Sequence, residues 1–282
     1  MSIAHFSAPW PLLLVLLALP VNGAALLPMI DAHAHYTLPD AQRFPPPEIM
    51  SKLDTAGVSR LAVTSQPPDL AQHLYRHAPT RILPLLGVYQ FDLSKSGWLH
   101  DDTLPARVEA QLAQGEWAGI GELHLFAPDA RNPVFEAIVK LAEANHKVLM
   151  LHADAAVIDH AFAIAPRVRI LWAHLGTDPR PEVLAPRLQR HPHLWIDTSV
   201  RDERIAPDDQ LRPEWHALIT SYPERFVVAV DTFSTRRWSN YGEVVRTIRR
   251  WVDTLPPALQ AKLLHDNAAE LFEGFSATGA TP

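Results

Sequence analysis

Met29-Ile30-Asp31-Ala32-His33-Ala34-His35 begins as an apolar run and closes on two histidines two positions apart. In a strand, residues i and i+2 face the same way, so His33 and His35 turn to one side of a sheet. Two imidazoles so placed can grip one divalent ion. Seven more short runs follow: Val58 to Ser65, Arg81 to Tyr89, Ala118 to Leu123, Lys147 to Ala153, Val168 to Ala173, Leu194 to Ser199, and Phe226 to Val230. Val148-Leu149-Met150-Leu151 and Phe226-Val227-Val228-Ala229-Val230 are continuous rather than alternating, the pattern of strands buried on both faces.

Amphipathic stretches separate the runs. In Asn132-Pro133-Val134-Phe135-Glu136-Ala137-Ile138-Val139-Lys140-Leu141, the residues Val134, Ile138 and Leu141 form one helix face. Asn132 is placed to cap that helix, with Pro133 at its first position. Helices are also expected over Pro47 to Ala56, Leu70 to His77, Leu104 to Ala113, Pro181 to Arg190, Glu214 to Ser221, Tyr241 to Leu255 and Pro257 to Phe272. The runs end at His35, Gln66, Tyr89, Glu122, His152, His174, Asp197 and Asp231, on average about 28 residues apart. Each interval holds one strand, one helix and two loops. The expected fold is therefore α/β, a (β/α)8 TIM barrel in a single domain over residues 26–282. The rival, a doubly wound sheet, lacks its Gly-x-Gly-x-x-Gly turn after the first strand.

Composition narrows the function. The 282 residues are 48% hydrophobic and 20% charged, ordinary globular usage. The formal charge of −6, with no basic block, argues against nucleic acid as a partner and leaves a small-molecule substrate. Absence of cysteine excludes disulfides, thiolate metal sites and cysteine nucleophiles. With 15 histidines present, imidazole becomes the natural metal ligand. Ala8 to Val21 is entirely apolar, too short to span a bilayer, and followed by the small residues Gly23, Ala24 and Ala25. Residues 1–25 are accordingly expected to be a signal peptide, and the protein to be exported to the periplasm or beyond, although no Lys or Arg precedes the apolar run.

The chemistry lies at the run ends. Glu122, His152, His174 and Asp231 each close an apolar stretch, where a charged or metal-competent side chain serves no packing purpose. The mouth of a barrel that binds a cation supplies one. Asp197 is expected to support a histidine ligand rather than to bind metal itself. Gln66, Tyr89, Arg201 and Arg236 are the candidate substrate-binding residues; an arginine there can take a carboxylate bidentately. His73, His77, His146, His191 and His193 fall on helices or loops and are read as surface residues.

Over nearly all of residues 26–273 the chain resembles the amidohydrolase superfamily of metal-dependent barrel hydrolases, and within it the amidohydrolase-2 and TatD-type branches. The family's first-strand His-x-His corresponds to His33 and His35, its later-strand Glu to Glu122, its single histidines to His152 and His174, and its last-strand Asp to Asp231. Asn267-Ala268-Ala269-Glu270-Leu271-Phe272 is similar to a signature near the end of such chains. The resemblance implies a divalent cofactor, zinc by expectation, as one or two ions. In the two-ion pattern Glu122 bridges, with His33, His35 and Asp231 on one ion and His152 and His174 on the other. In the one-ion pattern His33, His35, His152 and Asp231 are ligands, and His174 contacts substrate or water. Asp231 and His174 are the implied catalytic pair, acting on an ester, lactone or amide of a small organic substrate. The same resemblance admits a non-oxidative decarboxylase, or a TatD-like phosphoesterase or nuclease. Gly121-Glu122-Leu123-His124-Leu125-Phe126 departs from the Gly-Glu-x-Gly-Leu-Asp pattern of the TatD type, and no run ends in a lysine that might become a carbamate bridge.

Overall fold

The computed structural model describes residues 26–89, 95 and 97–275; the expected signal peptide at 1–25 lies outside them. Eight strands form one parallel sheet: β1 (Met29–Thr37), β2 (Val58–Gln66), β3 (Ile82–Leu86), β4 (Gly119–Leu125), β5 (Val148–Ala153), β6 (Arg169–Trp172), β7 (Leu194–Asp197) and β8 (Phe226–Val227). Each pairs with the next in chain order. Hydrogen bonds also join β1 to the segment after β8: Ala32 N–H donates to Val228 O at 3.3 Å, and Asp231 N–H donates to His33 O at 2.7 Å. The buried Asp31 carboxylate accepts the Val230 N–H at 2.9 Å across the same seam. The fold is the eight-stranded α/β barrel expected.

Apolar side chains pack in two shells. Ile30, Ala32, Leu83, Leu85, Met150, Leu171 and Val227 form an inner cluster, joined by Leu271 and Phe272 from the C-terminal helix. A larger cluster lies between strands and helices. In β1 the inner residues are even-numbered up to Ala32, whereas Ala34 and Tyr36 belong to the outer shell. A register irregularity between Asp31 and Ala34 reverses the phase. It lets odd-numbered His33 and His35 stand above an even-numbered apolar layer. A similar shift falls between Ile120 and Leu123 in β4, just where Glu122 emerges.

The helix over Pro133–Ala144 is capped as expected, the Asn132 side chain accepting from Val134 N and Phe135 N. Three expectations need correction. First, β3 stops at Leu86, not Tyr89. Second, β6 stops at Trp172 and β8 at Val227, short of His174 and Asp231. The backbone turns left-handed at His174 (φ 59°) and at Asp231 (φ 54°), so neither residue is part of an extended strand. Third, the helix expected from Pro257 to Phe272 is Pro257–Ala261, a π-helical turn Lys262–Asp266 and Asn267–Leu271. His191 is also not a plain surface residue, since its ring stacks on Phe162 with centroids 4.2 Å apart. Among the described residues no helix is long and apolar enough to cross a membrane.

Candidate metal centre

The six expected ligand side chains come together at the C-terminal mouth of the barrel. His33 Nε2 and His35 Nε2 are 3.2 Å apart. Glu122 lies among the imidazoles, 3.4 Å from His35 Nε2, 3.2 Å from His152 Nδ1 and 3.2 Å from His174 Nε2. Asp231 Oδ1 is 3.4 Å from His35 Nε2, and its Oδ2 is 3.8 Å from His174 Nε2. A tetrahedral zinc site with bonds of 2.0–2.2 Å separates its ligand atoms by about 3.3–3.6 Å. These spacings therefore suit ligands around a cation.

Local backbone places each group. Glu122 follows Gly121, whose φ of 124° and a Cβ position only 2.5 Å from Met150 O admit no other residue without displacement. His35 is held at both backbone groups: Thr232 Oγ1 accepts its N–H and donates to its C=O, each at 2.8 Å, and Trp238 Nε1 donates to the same carbonyl. The left-handed turns at His174 and Asp231 occur at non-glycine residues, a conformation sustained when surrounding packing overrides the local cost.

A buried outer layer sets the tautomers. Asp197 carboxylate can only accept, so His33 Nδ1–H donates to its Oδ2 at 3.1 Å. Ser199 Oγ donates to Asp197 Oδ1, leaving its oxygen to accept from His174 Nδ1–H at 2.8 Å. Asp197 Oδ1 also receives the backbone N–H groups of His174 and Ser199. With Nδ1–H spent outward, the Nε2 atoms of His33 and His174 present lone pairs to the Glu122 carboxylate. Acceptor then faces acceptor unless a positive charge, a proton or a metal ion, lies between them. Asp231 Oδ1 adds to that demand, being buried with no hydrogen-bond partner. The residues present fit a divalent ion.

The electrostatics agree. Burial opposes charge on His33, but the carboxylates of Glu122, Asp231 and Asp197 outweigh it and raise its pKa to about 10. Burial likewise opposes ionisation of Glu122, yet His33, His152, His174 and His35 hold it well below the ordinary carboxylate range. For Asp197 burial is again outweighed, chiefly by His33, and its pKa falls to about 2. So much negative charge in a buried site holds protons on imidazole where an ion could take their place.

The candidate substrate residues separate. Gln66 and Tyr89 line a cavity of about 50 Å³ beside His35 and Glu122. Arg201 Nε donates to His174 O at 3.1 Å, at the rim of the cluster. Arg236 is exposed and is not brought to the cluster; its neighbour Arg237 instead donates to the carbonyls of Val230 and Asp231. A larger cleft of about 390 Å³, lined by residues such as Pro179, Arg180 and Trp215, contains none of the cluster.

His124 is the residue sequence reasoning missed. Its Nε2 lies 3.3 Å from Glu122 Oε2, and its ring stacks on His152 with centroids 4.5 Å apart. Burial lowers its pKa to about 3, against the pull of Glu122, so the ring is neutral. The signal was available, because Glu122-x-His124 repeats on β4 the two-residue spacing of His33-x-His35.

A closed α/β barrel carrying imidazoles and carboxylates at its C-terminal mouth defines a barrel enzyme with a metal-competent site. The amidohydrolase family model matches residues 30–274, and the chain belongs to that family. It is therefore an enzyme, of the metal-dependent hydrolase kind in general terms. No curated protein sequence matches the chain. Among solved structures it is similar to an uncharacterized TIM-barrel protein from Bordetella bronchiseptica (13% identity, TM-score 0.61, 87% of this chain and 98% of that one). It is similar also to a putative 2-pyrone-4,6-dicarboxylic acid hydrolase from Pseudomonas putida (20%, 0.58, 89% and 98%). A third is an amidohydrolase from Burkholderia multivorans with bound zinc (15%, 0.56, 86% and 98%). At these identities the likeness bears on the fold.

Proposed function

We propose that the enzyme hydrolyses an ester, lactone or amide bond in a small organic substrate, with a divalent ion, zinc foremost, held by His33, His35, Glu122, His152, His174 and Asp231. One observation carries this reading: the Glu122 carboxylate is ringed by imidazole nitrogens, two of them on rings (His33 and His174) whose tautomers are fixed from outside, while Asp231 Oδ1 waits without a hydrogen-bond partner. When bound, the ion supplies Lewis acidity that activates water and polarises the scissile carbonyl. Asp231 Oδ1 accepts the proton released by the attacking water and returns it to the leaving group. His174, tied to Ser199 through Nδ1, keeps its Nε2 lone pair turned to the ion beside Glu122. Arg201 engages a substrate carboxylate, since among the described residues its side chain makes one hydrogen bond, through Nε.

The test is turnover by chelator-stripped protein reloaded with zinc or manganese, over a panel of esters, lactones and amides. The Pseudomonas putida neighbour puts 2-pyrone-4,6-dicarboxylic acid at the head of that panel. Hydrolysis that vanishes on chelation and returns with metal is the expected result. Carbon dioxide release without hydrolysis would instead identify a decarboxylase, and phosphate release from phosphoesters a phosphoesterase.

A further inference from the structure

We propose that His124 is a metal ligand: with Glu122 and His152 it forms a second cation position beside that of His33, His35 and Asp231, and Tyr89 holds it in the ligand tautomer. This rests on the metal-dependent reading above and adds to it a residue outside the six expected ligands.

The ligand atoms of Glu122, His124 and His152 all lie within 4.8 Å of one another. The contacts that Glu122 makes with His124 Nε2 (3.3 Å) and His152 Nδ1 (3.2 Å) are as close as those it makes with His35 and His174. Both of its oxygens touch the proposed position, Oε2 at His124 and Oε1 at His152, and each also touches one of the other imidazoles, Oε2 at His35 and Oε1 at His174. The carboxylate therefore stands between the two positions.

The tautomer of His124 follows from donor and acceptor chemistry. Lys95 Nζ lies 2.8 Å from His124 Nε2. An ammonium group only donates, so Nε2 must be the acceptor nitrogen. The ring proton is then on Nδ1, which donates to the Tyr89 hydroxyl oxygen at 3.0 Å. The same oxygen accepts the His124 backbone N–H at 2.8 Å, so one hydroxyl locks both ring and backbone. A ligand histidine is characteristically held this way, with one nitrogen on an outer partner and the other presenting its lone pair. Lys95 is exposed on a long, flexible stem and occupies the lone-pair direction as a stand-in cation that an ion can displace. A histidine merely packed into the wall would need no acceptor nitrogen turned toward a carboxylate.

The experiment counts ions on the full chain. Protein stripped with EDTA is titrated with Zn(II), desalted and measured for zinc per chain, with affinities taken by competition against a chromophoric chelator. Wild type is expected to hold two ions and His124→Asn one. Tyr89→Phe should keep two, the weaker binding about 10- to 100-fold less tightly. Tyr89→Phe removes a single oxygen and decides the matter if His124→Asn fails to fold. Two ions of unchanged affinity in both variants would overturn the assignment, as would one ion in wild type with both variants matching it. In those cases turnover by the loaded enzyme still supports the hydrolase reading. No bound ion in wild type would overturn both.

Discussion

Asp197→Asn isolates the outer layer that prepares the site. The side chain is fully buried and shares its oxygens unequally: Oδ2 takes His33 Nδ1–H, while Oδ1 takes the N–H groups of His174 and Ser199 and the Ser199 hydroxyl. Asparagine keeps the shape. The three bonds at Oδ1 hold its carbonyl there and leave Nδ2 facing His33. That amide can only donate, so His33 must surrender the Nδ1 proton and move it to Nε2, the nitrogen meant for the ion. His33 and Ser199 hold the Asp197 carboxyl down to about 2 against burial, so the outer partner is an anion, which a neutral amide does not replace. Loss of an outer partner of a ligand histidine costs about 10- to 100-fold in metal affinity. Competition with a chromophoric chelator should therefore show zinc held at least tenfold more weakly by Asp197→Asn, with circular dichroism confirming a folded barrel. Ser199→Ala, which leaves the His33 bond intact, should cost less. Wild-type zinc affinity in a folded Asp197→Asn protein would refute the tautomer argument.

Asp231→Asn should bring turnover to background in metal-loaded protein whose melting curve stays close to wild type; near-normal rates would eliminate Asp231 as the proton carrier. Burial raises the pKa of Asp31 to about 6 from 3.8, despite hydrogen bonds from Val230, Tyr241 and His33. A carboxyl raised in the folded state contributes stability that is complete below pH 3.8 and lost as pH climbs through 6. Between pH 4 and 8, the urea midpoint of Asp31→Asn should accordingly gain on wild type by an amount worth up to about 3 kcal/mol, and a pH-independent difference would contradict this. Gly121→Ala should lower both melting temperature and zinc affinity, the backbone conformation alone costing about 1–3 kcal/mol; an unaltered melt would show that the β4 backbone accommodates a side chain there. If the leader is removed after Ala25, N-terminal sequencing of exported protein should begin at Leu26.

Much of the fold was legible because buried parallel strands leave unbroken apolar runs, and a lone polar residue at the end of such a run is conspicuous. His33, His35, Glu122, His152, His174 and Asp231 were found that way. What was missed has physical reasons. The apolar run Ala118 to Leu123 gives way to a polar residue at His124, yet the strand continues to Leu125 and brings His124 beside Glu122. The helix Ala155–Ile164 is almost wholly apolar and shows no stripe to set it apart from its surroundings. Left-handed backbone at His174 and Asp231 is imposed by tertiary packing, not by the residue types, so the apolar runs carry no sign of it. Ser199 gave no local sign, since its role exists only in relation to Asp197 and His174.

The seam that joins β1 to the chain after β8 has few main-chain bonds, and it is also where His33 and His35 meet Asp231. An ion gripped by residues from both sides would act as a rivet across the joint that closes the barrel. Loading and ring closure would then be thermodynamically one event. Amide hydrogens around Ala32 and Asp231 should consequently exchange more slowly in the holoenzyme, making the first and last strands a direct reporter of occupancy.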